Sequence, residues 1–139
     1  MAEVNNVNLI DNAFMKKALT LAADAAAHGE VPVGALVVNS EGKIVGEGYN
    51  LRESCKRATA HAEIIAIDAA CVHLGRWRLG DCTLYVTLEP CFMCAGAIIL
   101  ARLPRVVYGA KDPKAGAVHS LSNVLTNEKL NHVCTVTTD

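Results

Sequence analysis

Two short polar segments, His61-Ala62-Glu63 and Pro90-Cys91-Phe92-Met93-Cys94, constrain this chain more than any other feature, because each opens an apolar helical run. The pattern Ile64, Ile65, Ile67, Ala69, Cys71, Val72, closed by Gly75, predicts a mostly buried helix from His61 to Leu74. Thr83–Leu88 is β-branched and aromatic and reads as a strand that Glu89-Pro90 ends. Pro90 suits the start of a further helix, from Cys91 to about Ala101, which Pro104 bounds. Both polar segments therefore fall at helix N-termini. There, free backbone N–H groups and the helix dipole favour negative charge and lower thiol pKa values.

The other elements alternate around this pair. Asp11 or Asn12 is the expected N-cap of a first helix with the stripe Phe14, Ala18, Leu21, Ala22, Ala25, which His28 caps and Gly29 ends. Val31–Val38 and Ile44-Val45, joined by Asn39–Lys43, read as a hairpin whose Pro32 favours a strand start or an edge. Leu51–Thr59 is a polar loop, Arg105–Gly109 a strand, and Lys111–Ala117 a loop. A short helix near Leu121–Leu125 and a strand at Val133–Val136 complete the chain. Strands alternating with helices predict an α/β domain whose sheet is covered on both faces.

At 139 residues there is room for one domain, and the 52% hydrophobic content suffices for a core. The net charge of −1 excludes a generally basic nucleic-acid binder, yet Lys43–Lys114 holds ten basic residues against seven acidic ones. No apolar run nears the ~18 residues of a membrane span, and Met1–Asn8 lacks the features of a signal peptide, so a cytoplasmic location is expected. The six cysteines are then unlike a disulfide framework and point to thiol chemistry or metal binding.

Cys91 and Cys94, three apart, share a helical face and can grip one ion, although a CxxC alone also fits a redox pair. His61 and Glu63 point in different directions on a regular helix, so they do not both bind the same ion from mid-helix. At the first turn Glu63 can lean beside a metal without binding it. His61, Cys91 and Cys94 then fill three corners of a tetrahedron and leave the fourth for water, the open arrangement of a catalytic Zn2+; a structural zinc would need a fourth protein ligand.

His61-Ala62-Glu63 followed by Pro90-Cys91-xx-Cys94 resembles the zinc-dependent cytidine/adenosine deaminase superfamily. Val31–Ala35, Gly46–Asn50, Thr59–Glu63, Thr83–Ala97, Arg105–Asp112 and Ala115–Ala117 are similar to bacterial tRNA adenosine deaminases in particular. The resemblance implies a three-layer α/β/α sandwich around a five-stranded mixed sheet, one zinc per chain, and a homodimer that deaminates the wobble adenosine of a tRNA anticodon loop to inosine. It implies that His61, Cys91 and Cys94 hold the zinc while Glu63 moves the protons. By the same resemblance the Ala62 N–H and the Asn50 side chain read the base, Pro32 and Val33 wall its pocket, and Asp112 touches a neighbouring ribose. Read alone, Asn50 and Asp112 are turn residues.

The family continues past its last strand into a C-terminal helix that helps hold the anticodon loop. This sequence stops at Thr137-Thr138-Asp139, so residues 1–139 are expected to form a single deaminase domain lacking that helix. Val118-His119 also stand where the family usually has small residues. Arg52, Lys56 and Arg57 are either a solvated face or phosphate contacts beside His61. Cys55 is a bystander thiol near the site, and Cys71, Cys82 and Cys134 are small core residues. Two competing readings are a zinc deaminase of a free nucleobase or nucleoside, guanine or cytosine, which needs no basic rim, and a zinc-stabilised RNA-binding module, which Glu63 argues against.

Overall fold

A computed structural model describes residues 4, 5 and 8–138. The expectations for the N-terminal octet and for Asp139 fall wholly or largely outside these residues. The elements in chain order are β1 (Val4–Asn5), α1 (Leu9–Ala27), β2 (Gly34–Val38), β3 (Ile44–Tyr49), α2 (Arg52–Cys55), α3 (Ala62–Leu74), β4 (Thr83–Leu88), α4 (Phe92–Leu100), β5 (Arg105–Ala110) and β6 (Thr135–Thr137).

The strands form one mixed sheet in the order β1-β6-β5-β4-β2-β3. The five strands β2–β6 make the expected sheet, and the two-residue β1 adds to its edge in parallel with β6. The hairpin β2–β3 and the β2–β4 pair are antiparallel, whereas β4–β5 and β5–β6 are parallel. One sheet face packs on α1 through Ala18, Leu36, Val38, Tyr85 and Val107. The opposite face carries the larger core, which includes Ala62, Ala66 and Ile67 of α3 and Ala95 and Ile98 of α4. The result is a three-layer α/β/α sandwich. Among the described residues no helix is long and apolar enough to cross a membrane.

Small residues set how closely α3 approaches the sheet. Ala62, Ala66 and Ala70, four apart along one helical face, are all fully buried. Opposite them a Cβ on Gly46 would lie 2.2 Å from the Ala66 carbonyl oxygen, so only glycine fits there. A Cβ on Gly48 would likewise lie 2.5 Å from the Ala62 carbonyl oxygen, and this second close approach holds the N-terminus of α3, and with it His61, at a fixed height above the sheet.

The structure corrects several local expectations. The N-cap of α1 is Asn8, and Asp11 is the third helical residue, closing a capping box with Asn8. Asp11 is instead drawn into the tertiary core. It is 1% exposed and accepts from Tyr85 Oη at 2.8 Å and from Arg105 Nη1 and Nη2 at 2.8 and 2.7 Å, while Arg105 also reaches Thr137 Oγ1. Three elements, α1, β4 and β5, thus meet on one carboxylate, and Arg105 ties β6 to them as the fourth. The loop after β3 contains the one-turn helix α2, and the expected helix near Leu121–Leu125 is only a 3-10 turn at Val124–Thr126. Cys91 is the N-cap of α4, so Pro90 precedes the cap and is not the first helical residue. His28 is the C-cap of α1, and Cys82 and Cys134 are buried as small core residues.

Candidate active site

His61 and Cys91 are N-caps with extended backbone and no side-chain capping bond, so both side chains are free to turn toward each other across the C-terminal end of β4. The Nδ1 atom of His61 lies 3.6 Å from Cys91 Sγ and 3.5 Å from Cys94 Sγ. All three donor atoms fall within 4.8 Å of one another. A tetrahedral zinc with Zn–S of roughly 2.3 Å and Zn–N of roughly 2.0–2.1 Å separates its N and S ligands by about 3.5–3.6 Å, so this donor set fits the ion without rearrangement. The chemistry of the thiols agrees. The Cys94 thiol donates to Cys91, which is held at about 5 with further help from the Cys94 and Met93 N–H groups; Cys94 itself is pushed well above the ordinary thiol range. Zinc would displace the proton that Cys94 shares with Cys91, leaving two thiolates and one imidazole as its ligands, and the purified protein should carry about one zinc per chain. Metal analysis of Cys94→Ser should find almost none; full zinc content in that variant would show that the ion sits elsewhere.

Glu63 is 4% exposed and lies beside Cys94. Burial raises its carboxyl to about 7, against the partial opposition of its own backbone N–H. A carboxyl poised near neutrality can both take and return a proton.

A cavity of about 200 Å³ opens above this group, lined by His61, Glu63, Cys91, Asn50, Ala62, Val33, Asp112 and Arg52, among others. Of the residues expected to meet a substrate, Asn50, Ala62, Val33 and Asp112 therefore share one cavity. Pro32 does not line it and is exposed, because its neighbours Val31 and Val33 take the wall positions. Asn50 is 7% exposed, donates to the Val31 carbonyl at 3.4 Å and accepts the Arg52 N–H at 3.1 Å, so it also ties the wall to α2.

Reading the sequence missed Glu89, which looked like a strand stop. It is 2% exposed, and its carboxylate accepts N–H groups from Asp112, Val118, His119 and Ser120 together with the Ser120 hydroxyl. Burial alone would raise its pKa, but these donors, the His119 N–H and Ser120 hydroxyl foremost, bring it down to about 2. A Cβ on Gly116 would meet this carboxyl group at 2.3 Å, which explains the glycine; Gly116 also bridges to Cys91 and Ala117 N–H bonds to the Pro90 carbonyl. Glu89 thereby fixes the Asp112 loop to the turn that carries the first thiolate. The available signal was an ionisable residue at the end of a strand that carries no charge of its own. His119, out of place by the family pattern, hydrogen-bonds the buried Tyr108 hydroxyl.

The sandwich and the open His/Cys/Cys site beside a buried glutamate define the class. The profile of the cytidine and deoxycytidylate deaminase zinc-binding region matches residues 9–110, and the chain belongs to that family. Within it the chain is similar to the tRNA-specific adenosine deaminase of Bacillus subtilis, 52% identical over 122 residues that span 88% of this chain and 75% of that relative. A solved structure from work on A-to-I editing by tRNA:A34 deaminases superposes with a TM-score of 0.87 at 43% identity, covering 92% of this chain and 98% of the other. A guanine deaminase from Bacillus subtilis gives 0.70 at 43% identity, over 76% and 66% of the two chains.

Proposed function

We infer that the protein hydrolytically deaminates the wobble adenosine of a tRNA anticodon to inosine, within one catalytic domain. The observation that carries this reading is the buried Glu63 beside an open zinc-type donor triad, at the floor of a base-sized cavity whose rim bears Arg52. The substrate class rests on the likeness to tRNA-specific adenosine deaminases.

A base reaches such a pocket only when flipped out of the loop. Val31 and Val33 then flank its faces, while Asn50 and the N–H of Ala62, free at the first turn of α3, meet its polar edge. His61, Cys91 and Cys94 would hold the zinc, which would acidify a water and make it the nucleophile for C6 of the adenine. Glu63 takes one proton from the water and gives it to the ring nitrogen beside C6; it then takes the second proton from the oxygen now on C6 and gives it to the amino group, which leaves as ammonia as the C6 carbonyl forms. Asp112 sits at the cavity wall, where it meets the ribose of the adjoining nucleotide.

Phe92 and Leu100 on α4 are 55% and 70% exposed, and a second copy of the chain covers them in the homodimer that this reading includes. The tRNA substrate places the reaction in the cytoplasm. The likeness to guanine deaminase supports a second reading, deamination of a free purine base.

The test is to incubate the zinc-loaded protein separately with total tRNA, free guanine and free adenosine, and to analyse the products. Inosine in tRNA supports the first reading; xanthine from guanine with unmodified tRNA replaces it with the second. Binding should also weaken with salt, and neutralising one of Arg52, Lys56 or Arg57 should reduce the magnitude of the log–log slope by roughly 0.7–1. An unchanged slope for all three would remove these side chains from the interface.

A further inference from the structure

Glu30 takes no part in the reaction set out above, yet it is only 6% exposed. It stands between the end of α1 and the cavity-wall residue Val31. Its Oε1 accepts the Glu53 N–H at 3.1 Å, and its Oε2 accepts both the N–H and the hydroxyl of Ser54 at 2.6 Å. These donors belong to the second and third residues of α2, whose own cap residue, Leu51, forms no side-chain capping bond. A carboxylate from more than twenty residues upstream therefore performs the capping that the local sequence omits. A single helical turn does not persist by propensity alone, so this tertiary cap is what keeps α2 folded.

The far end of α2 is organised just as specifically. Lys56 adopts a left-handed conformation with φ of 52°, and both Lys56 and Arg57 donate their N–H groups back to the Arg52 carbonyl. Arg52, Lys56 and Arg57 are all exposed, and among the described residues none of them forms a salt bridge. The charge of Glu30 is engaged by backbone and hydroxyl donors and leaves the three cations unneutralised. Arg52 lines the cavity that holds His61 and Glu63.

We propose that Glu30, through Ser54, is a positioning residue for RNA selection, holding α2 so that Arg52, Lys56 and Arg57 face the phosphates on either side of the base in the cavity. The proposal rests on the tRNA reading above and adds the device by which a nucleotide within RNA is preferred to a free one. Glu30 touches neither substrate nor reacting atoms; it acts only through α2.

The test uses the full zinc-loaded chain, its Glu30→Gln and Ser54→Ala variants, and an anticodon stem-loop RNA. Trypsin should cut after Lys56 and Arg57 several-fold faster in Glu30→Gln, with zinc content unchanged. KM for the RNA should rise about tenfold, with kcat moving far less, because uniform binding of the substrate is what is lost. Ser54→Ala should shift KM in the same direction by less, and it serves if Glu30→Gln does not fold. In a chain already carrying Arg52→Gln, Lys56→Gln and Arg57→Gln, adding Glu30→Gln should raise KM no further, since its route to the RNA is gone. An unchanged KM, a loss borne equally by kcat, or a full additional rise in the neutralised background overturns the proposal. A parent enzyme that forms no inosine in RNA overturns the functional reading and this proposal with it, whereas an active parent with an indifferent Glu30→Gln variant overturns the proposal alone.

Discussion

Replacing Glu63 with Gln should lower the rate of inosine formation by ~10²–10⁴-fold while zinc content and RNA affinity stay near those of the parent. The substitution preserves the size of a side chain that is 4% exposed, so the packing around it survives. It removes the capacity to accept a proton at the one buried carboxyl beside Cys94. His61, Cys91 and Cys94 keep their donor atoms in the variant, and the glutamine retains a polar group beside Cys94. Single-turnover deamination, metal analysis and RNA binding on the same preparation separate the two functions. Near-normal turnover by Glu63→Gln would assign the proton transfer to another group, and loss of zinc would make Glu63 part of the metal site.

The largest effect on stability should come from Asp11, far from that chemistry. Asp11→Asn leaves Arg105 without its bidentate partner and weakens the bond to Tyr85, and it should destabilise the fold by about 3 kcal/mol, near the lower end for a broken buried pair because Arg105 keeps some contact with water. The pH dependence follows from the same contacts. Burial would raise the Asp11 carboxyl, but Arg105, Tyr85 and the Asn8 N–H outweigh it and hold the pKa below its ordinary value of 3.8. A carboxyl depressed in the folded state contributes its stability fully above the unfolded value and loses it as pH falls through the folded one. The parent should therefore lose stability as pH drops below about 3.8, and Asp11→Asn should lose less over that interval. Urea midpoints at neutral pH and at successive acid pH values check both statements. A variant within 1 kcal/mol of the parent at neutral pH, or one with an equally steep acid loss, would show that this carboxylate does not lock the four elements together.

What was legible in the sequence was what short-range chemistry dictates. The bounds of β4 and the Gly75 end of α3 follow from periodicity and punctuation, and the structure has them at Thr83–Leu88 and at a left-handed Gly75. The metal donors were legible for the same reason. HxE and PCxxC each mark a helix start, and a helix start exposes its cap side chain, so His61 and Cys91 had to emerge at the open end of the sheet. The resemblance of the surrounding blocks supplied the chemistry, and Asn50, Ala62, Val33 and Asp112 were read from those blocks before they were seen to share a cavity.

Other features were decided only in three dimensions. Asp11 has the composition of an N-cap, and its sequence neighbours say nothing of Arg105 or Tyr85, which lie 94 and 74 residues away. Glu89 looked like punctuation after a strand, and nothing in the residues around Glu30 singled it out. Each is a buried carboxylate whose donors come from a loop at least 23 residues distant. Val31 and Val33 line the wall and Pro32 does not, because a tight turn closed by the Val33 N–H on the Val31 carbonyl has Pro32 at its exposed centre. Local propensity and spacing determined where α3 starts, where β4 ends and which residues can hold zinc, since those depend on a few consecutive dihedral angles. Which carboxylates the fold would bury depended on distant N–H groups and cations converging around them, and a buried charge persists only where the folded chain supplies those partners.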